Sequence, residues 1–212
     1  FMERRAIPSS FAELTRPLAL VAFDLDASER RVFGAVPYID VPISQAVTAS
    51  SALPILFAPV RVAGRYYIDA GPGDIAHLDV ALELGAQEVL VVNPMVPVRS
   101  EIHQRDIPTG HGPMKRVRDK GLLWVYHESV RMRGDARLRA GLARFREANP
   151  ATEVHLLEPD PTDATLFMHS PMNFAARRAI LTHAYTTTYQ SLRQPTSLLR
   201  QMIERRGFAA KE

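Results

Sequence analysis

Asp69 ends the run Gly64-Arg65-Tyr66-Tyr67-Ile68-Asp69-Ala70-Gly71. Aromatic and branched residues give that run the composition of a strand, and the small residues after it free the backbone. A carboxylate in such a place can stand at the rim of a sheet and act as a general base. Spacing alone leaves a second reading equally open, an aspartate that caps a turn or the helix that follows. Ser50 and Ser51 come just before Ala52-Leu53-Pro54. A nucleophilic serine needs an adjacent base and a sharp, exposed turn. No serine in the chain has a glycine two residues before it, so neither Ser50 nor Ser51 is expected to attack. Asp24 and Asp26 could hold a cation, but aspartates in such a stretch more often bond their own backbone and cap a turn. His103 and His111 lack the spacing that puts two rings on one metal and read as surface residues. The chain has no cysteine, which excludes disulfides, a thiol nucleophile and a cysteine metal site. No zinc spacing and no phosphate-binding glycine loop occurs, so neither a metal nor a cofactor is expected.

The elements that must position these groups read as follows. Leu18 to Phe23 is a short continuous apolar run, as in a strand buried on both faces. Asp24 to Ser28 reads as a turn and Arg31 to Gly34 as a return strand. Val41 to Ala49 reads as a helix with Pro42 in its first turn. Val60 to Ile68 reads as a hairpin turning at Ala63-Gly64. A helix over Ile75 to Leu84, with Asp74 as N-cap and Gly85 as stop, leads into a strand over Glu88 to Val92. Helix followed by apolar strand, twice over, points to a largely parallel sheet flanked by helices. Pro94 to Pro113 reads as a long loop. Met114 to Asn149 is helix-rich, broken near Gly134, with arginines opposite an apolar stripe. Glu153 to Leu157 reads as a strand. Helices over Ala175 to Leu192 and from Pro195 to Arg206 form a C-terminal extension.

Composition bounds the function classes. With 212 residues, 46% of them hydrophobic, the chain can bury one sizeable core. No apolar run approaches the ~18–20 residues that cross a bilayer. The formal charge of +3 and pI near 9.4 suit anionic surfaces, though solubility explains the same excess. Arginine density on the long helix is the sole argument for nucleic acid. A solvated face paired with Glu128, Asp135 and Glu147 accounts for it better, so no nucleic acid partner is expected. The tail from Arg200 to Lys211 is basic and amphipathic, suited to a membrane surface or to docking on the domain.

The stretch ASSALPILFAPVRVAGRYYIDAGPGDIAHLDVALELGA resembles the patatin-like phospholipases. That family has a Ser-Ala-x-Pro-like segment, a hydrophobic run, a Gly-x-Tyr-x-Asp-Gly-Gly/Ala motif and a helix, in this order. The match continues through Gly85 to Asn93, the next helix-to-strand step. The resemblance implies an α/β fold with a largely parallel central sheet flanked by helices, the patatin-like αβα arrangement, with a helical C-terminal extension. Residues 1–100 would be the C-terminal part of the catalytic domain, and 101–212 a helix-rich continuation packed on it. The activity implied is acyl-ester hydrolysis of lipids or phospholipids by a serine–aspartate dyad, with Asp69 as base and Leu53, Ile55, Leu56 and Phe57 on the acyl side of the cleft. The serine belongs to a Gly-x-Ser-x-Gly elbow, absent from this chain and expected upstream in the other half of the same domain. This chain alone would then be inactive. Localisation stays open, with the cytoplasm or a peripheral membrane surface favoured. Two departures stand beside Asp69. Ala70 replaces the family's glycine, and would be strained if that position needs positive φ. Ile75-Ala76-His77 replaces Asn-x-Pro. A catalytically degenerate lipid-binding or interaction module on the same scaffold is the alternative they support.

Overall fold

The computed structural model describes residues 8–71, 76–99, 116–163, 174–205 and 207. Asp74, Ile75, His103, His111, Met168 and the last residues of the basic tail lie outside them. The chain divides into two compact units, Phe1–Gln87 with Arg137–Thr152, and Glu88–Ala136 with Glu153–Glu212.

The first unit is built on a four-stranded sheet of β1 (Leu20–Asp24), β2 (Glu29–Phe33), β3 (Val60–Val62) and β4 (Arg65–Asp69). Its order is β2-β1-β4-β3. Every pairing in it is antiparallel, with Leu20 opposite Phe33, Ala22 opposite Asp69 and Val60 opposite Tyr67. Among the described residues, the expected parallel pairing occurs only in the second unit. A continuous apolar run specifies that a strand is buried; it says nothing of strand direction. Here β1 and β2 are joined by a four-residue turn and β3 and β4 by a two-residue turn, and turns that short allow only antiparallel neighbours.

Residues directly opposite each other point to the same face. Leu20, Ala22, Asp24, Phe33, Tyr67 and Asp69 therefore share one side of the sheet. Helix α1 (Ile43–Ser50) packs on β1, β3 and β4. Its buried Ile43, Ala46 and Ala49 join Phe11, Ala22, Phe33, Val62 and Tyr67 in the core. Phe33 meets Tyr67 and Tyr38 edge-on, with ring centroids 5.3 and 5.7 Å apart. Such contacts add about 0.5–1.5 kcal/mol to plain burial.

Asp24 is fully buried within this apolar surrounding. Its Oδ1 accepts from the N–H groups of Asp26 and Ala27 at 3.0 and 3.1 Å, and Arg65 Nη1 donates to Oδ2 at 2.7 Å. Burial pushes this carboxyl up, but the Ala27 N–H, the Arg65 guanidinium and the Asp26 N–H outweigh it and hold the group below its ordinary value. The residue therefore caps the turn expected at this point, and it also fastens β4 to β1.

Helix α2 (Leu78–Glu83) begins three residues later than the sequence suggests, because Ala76 and His77 both have left-handed backbone, φ 76° and 41°. It ends at Gly85 as expected. The Gly85 and Ala86 N–H groups bond the Leu82 and Ala81 carbonyls at 2.8 and 3.0 Å, the double closure of a Schellman motif.

In the second unit β5 (Glu88–Val92) pairs in parallel with β6 (Glu153–Leu157), Glu88 opposite Glu153 and Leu90 opposite His155. Helix α3 (Leu122–Ala148) runs through Gly134 without the expected break. One glycine in a helix interior costs only about 1 kcal/mol relative to alanine, too little to interrupt 27 residues. Asn149 ends it as expected, its Nδ2 donating to the Phe145 carbonyl at 3.0 Å. Arg137 onward belongs to the first unit, where Leu138 and Leu142 are buried. Glu128, on the same helix, accepts from the Val98 N–H at 2.8 Å, and burial pushes its carboxyl up. Two further helices follow, α4 (Arg177–Arg193) and α5 (Leu198–Arg205). Among the described residues no helix is long and apolar enough to cross a membrane.

Two outcomes are expected. Asp24→Asn should lower stability in urea at neutral pH by about 1.5–3 kcal/mol, the worth of hydrogen bonds to a charged group. Because the folded-state value is depressed, the wild-type advantage is complete above about pH 4 and shrinks as pH falls through that lower value. Parallel melts of both proteins from pH 7 downward should converge. In the β3–β4 turn, Ala63 has φ 47° and Gly64 φ 85°, as a type I′ turn requires. Ala63→Asn should raise stability by about 0.5–1 kcal/mol, since asparagine tolerates that backbone and alanine does not.

Candidate active site

The sheet carries Asp69 to the end of β4, opposite Ala22 of β1. A second tie fixes it from the other side, where its N–H donates to the Ala52 carbonyl at 3.0 Å. That bond draws the end of α1 and the following turn against the strand. The carboxylate then folds over the next two residues. Oδ1 accepts from the Gly71 N–H at 2.7 Å. A Cβ at position 71 would lie 2.8 Å from that oxygen, so any larger residue there would push the carboxylate aside. Among the described residues no guanidinium or ammonium reaches Asp69, in contrast to Asp24 on the same face.

Asp69 opens onto a cavity of about 500 Å³, within the range of small-molecule sites. Leu20, Val21, Val80, Ala81 and Leu84 make its apolar walls, and Ser50, Gly71 and His77 also border it. Helix α2 supplies one wall. It is held to β2 by a two-pronged ion pair, Arg30 Nη1 to Asp79 Oδ1 at 2.9 Å and Nη2 to Oδ2 at 2.6 Å. The Arg30 guanidinium holds the Asp79 carboxyl below its usual value.

Sequence reasoning and structure part company at several positions. Ala70 is buried and does not have left-handed backbone, so the strain considered for it is absent. The strain sits instead at Ala76 and His77, where the departure from Asn-x-Pro falls. Leu53, Ile55, Leu56 and Phe57 do not line the cavity. Ile55 is 70% exposed and Phe57 52%. Ser50 borders the cavity, and the resemblance already implies that its segment runs along a substrate cleft; His77 borders it too, although nothing in the sequence pointed to that. For Ser50 the placing contact is the Asp69–Ala52 backbone bond, which joins residues 17 apart and has no local signature. No hydrogen bond joins the Ser50 and Asp69 side chains among the described residues.

The Asx-type turn makes a prediction independent of chemistry. An asparagine at 69 keeps the Oδ1 acceptor for Gly71, so Asp69→Asn should leave stability within about 0.5 kcal/mol. Gly71→Ala should cost about 1–2 kcal/mol, through loss of the bond and crowding of the carboxylate. Chemical denaturation of the two variants checks the contrast.

The stretch that forms this sheet, the aspartate turn and all of the cavity wall but Leu84 also carries the likeness to known proteins: residues 2–82 match the model of the patatin-like phospholipase family, a family of lipid hydrolases.

Proposed function

We propose that this chain supplies the base-bearing part of a lipid acyl hydrolase, with Asp69 as the base of a serine–aspartate dyad. The observation that carries the reading is a strand-end carboxylate that faces an apolar cavity and bears no cationic partner among the described residues. A structural aspartate in a buried sheet would be expected to look like Asp24, paired and enclosed. The family match over residues 2–82 supports the substrate class.

In this reading the serine lies outside these 212 residues, since no Gly-x-Ser-x-Gly occurs among them. Its Oγ attacks the ester carbonyl while Asp69 takes the hydroxyl proton directly. The carbonyl oxygen becomes an oxyanion held by backbone N–H groups of a glycine-rich loop on the same upstream part. Collapse expels the alcohol, which receives the proton from Asp69, and leaves an acyl-serine. Water, deprotonated by the same carboxylate, releases the fatty acid and restores the serine. The apolar walls from Leu20, Val21, Val80, Ala81 and Leu84 suit an acyl chain. The exposed Leu53, Ile55, Leu56 and Phe57 turn then belongs to the cleft's rim, where it would meet the lipid before the cavity does. Ala70 without strain removes one argument for a degenerate module.

The test uses a protein that joins this chain to its serine-bearing part. Asp69→Asn should lower kcat on a short-chain ester by about 10²–10⁴-fold, the usual worth of a positioned base, with folding intact. Ordinary activity in that variant would remove Asp69 from the mechanism. The 212-residue chain alone should hydrolyse nothing and take up no fluorophosphonate. If it does either, and Ser50→Ala abolishes it, the nucleophile is Ser50 and the serine assignment changes.

A further inference from the structure

The parallel pairing of β5 with β6 brings three ligand-type side chains to one face of the second unit. Glu88 stands opposite Glu153, and His155 follows two residues after Glu153, on the same side of the strand. His155 Nε2 lies 3.2 Å from Glu88 Oε1 and 3.3 Å from Glu153 Oε2. All three donor atoms fall within 4.8 Å of one another. The nitrogen is inaccessible to solvent and, although both oxygens are near, makes a hydrogen bond to neither.

We infer that Glu88, Glu153 and His155 form a binding site for a divalent cation of the zinc type. The distances are those of ligands around a common centre. Donors about 2.0–2.2 Å from Zn²⁺ in a tetrahedron stand about 3.3–3.6 Å from each other, and the two histidine contacts fall at or just under that edge length. One imidazole nitrogen cannot direct a proton at two oxygens at once, whereas a cation between them can take a lone pair from each of the three ligand atoms. Two carboxylates and one imidazole suit Zn²⁺, and also Mn²⁺ or Co²⁺, better than a soft ion. The Glu88 and His155 side chains are 15% and 17% exposed, held on paired strands. Glu153 is 59% exposed, which gives its carboxylate room to adjust and leaves a side open for water as a fourth ligand. Arg205 of α5 donates to Glu153 Oε2 at 3.2 Å. That oxygen is the one facing His155, so the guanidinium competes with the cation and must swing away when it binds.

The chain contains seven histidines, so the experiment compares single variants. Equilibrium dialysis of the full 212-residue chain against Zn²⁺ should find one ion bound with an affinity that falls more than about a hundredfold in Glu88→Gln and in His155→Gln, beyond the range that loss of an outer-shell partner brings. Arg205→Gln should bind about two- to fivefold more tightly, as expected when an exposed competing ion pair is removed. Substitution with Co²⁺ should give the visible absorption bands of a four-coordinate ion, lost in the same variants. If either buried substitution disturbs folding in a metal-free melt, the more exposed Glu153→Gln carries the comparison. Equal Zn²⁺ binding by wild type and these variants, or no stoichiometric binding by wild type, overturns the assignment.

Discussion

The first unit depends on how one buried charge is satisfied. Asp24 has no exposure, and a carboxylate in that position is tolerated only if its oxygens are occupied. Two backbone N–H groups close the β1–β2 turn around Oδ1, and Arg65 reaches Oδ2 from β4. The same contacts that neutralise the charge therefore fix the order of three strands. With Asp24 opposite Tyr67, the ladder places Ala22 opposite Asp69. A shift of one residue in that pairing would turn Asp69 to the other face of the sheet. The candidate base is thus positioned by a second aspartate that takes no part in the proposed chemistry.

Two carboxylates on one face meet opposite fates. Asp24 is fully buried, lies opposite Tyr67 and is held by three donors. Asp69, one rung away, has among the described residues a single donor to its carboxylate, the Gly71 N–H, and a cavity before it. The difference follows from their neighbours in the chain. Arg65 precedes Tyr67 by two residues and so shares the face on which Asp24 lies. Asp69 is followed by Ala70 and Gly71, which bring no charge and, in the glycine, no side chain to fill the space.

Much of this was legible in the sequence, and what was not has a physical cause. The Ala63-Gly64 turn, the Asp24 turn, the Gly85 stop and the Asn149 helix end were readable because each is decided within about four residues. Strand direction was not, because burial of Leu18 to Phe23 is equally consistent with parallel and antiparallel partners. The late start of α2 was hidden because alanine and histidine at 76 and 77 give no hint of left-handed backbone, which surrounding structure imposes. The apolar run from Leu53 to Phe57 suggests a cleft lining by composition, yet Leu53, Ile55 and Phe57 are exposed. Glu88 and His155, 67 positions apart, meet only through the β5–β6 register, so no scan for local ligand spacing could find them.

The ion pair between Arg30 and Asp79 gives the cavity an unusual sensitivity. It joins the helix that forms one wall to an edge strand of the sheet, and its side chains are 32% and 50% exposed. Attraction between charges that meet water so freely weakens as dissolved electrolyte shortens the screening length, to about 8 Å at physiological ionic strength. Salt thus acts on how firmly one wall of the pocket is anchored, through two residues that do not line it, and ionic strength becomes a handle on the width of that pocket.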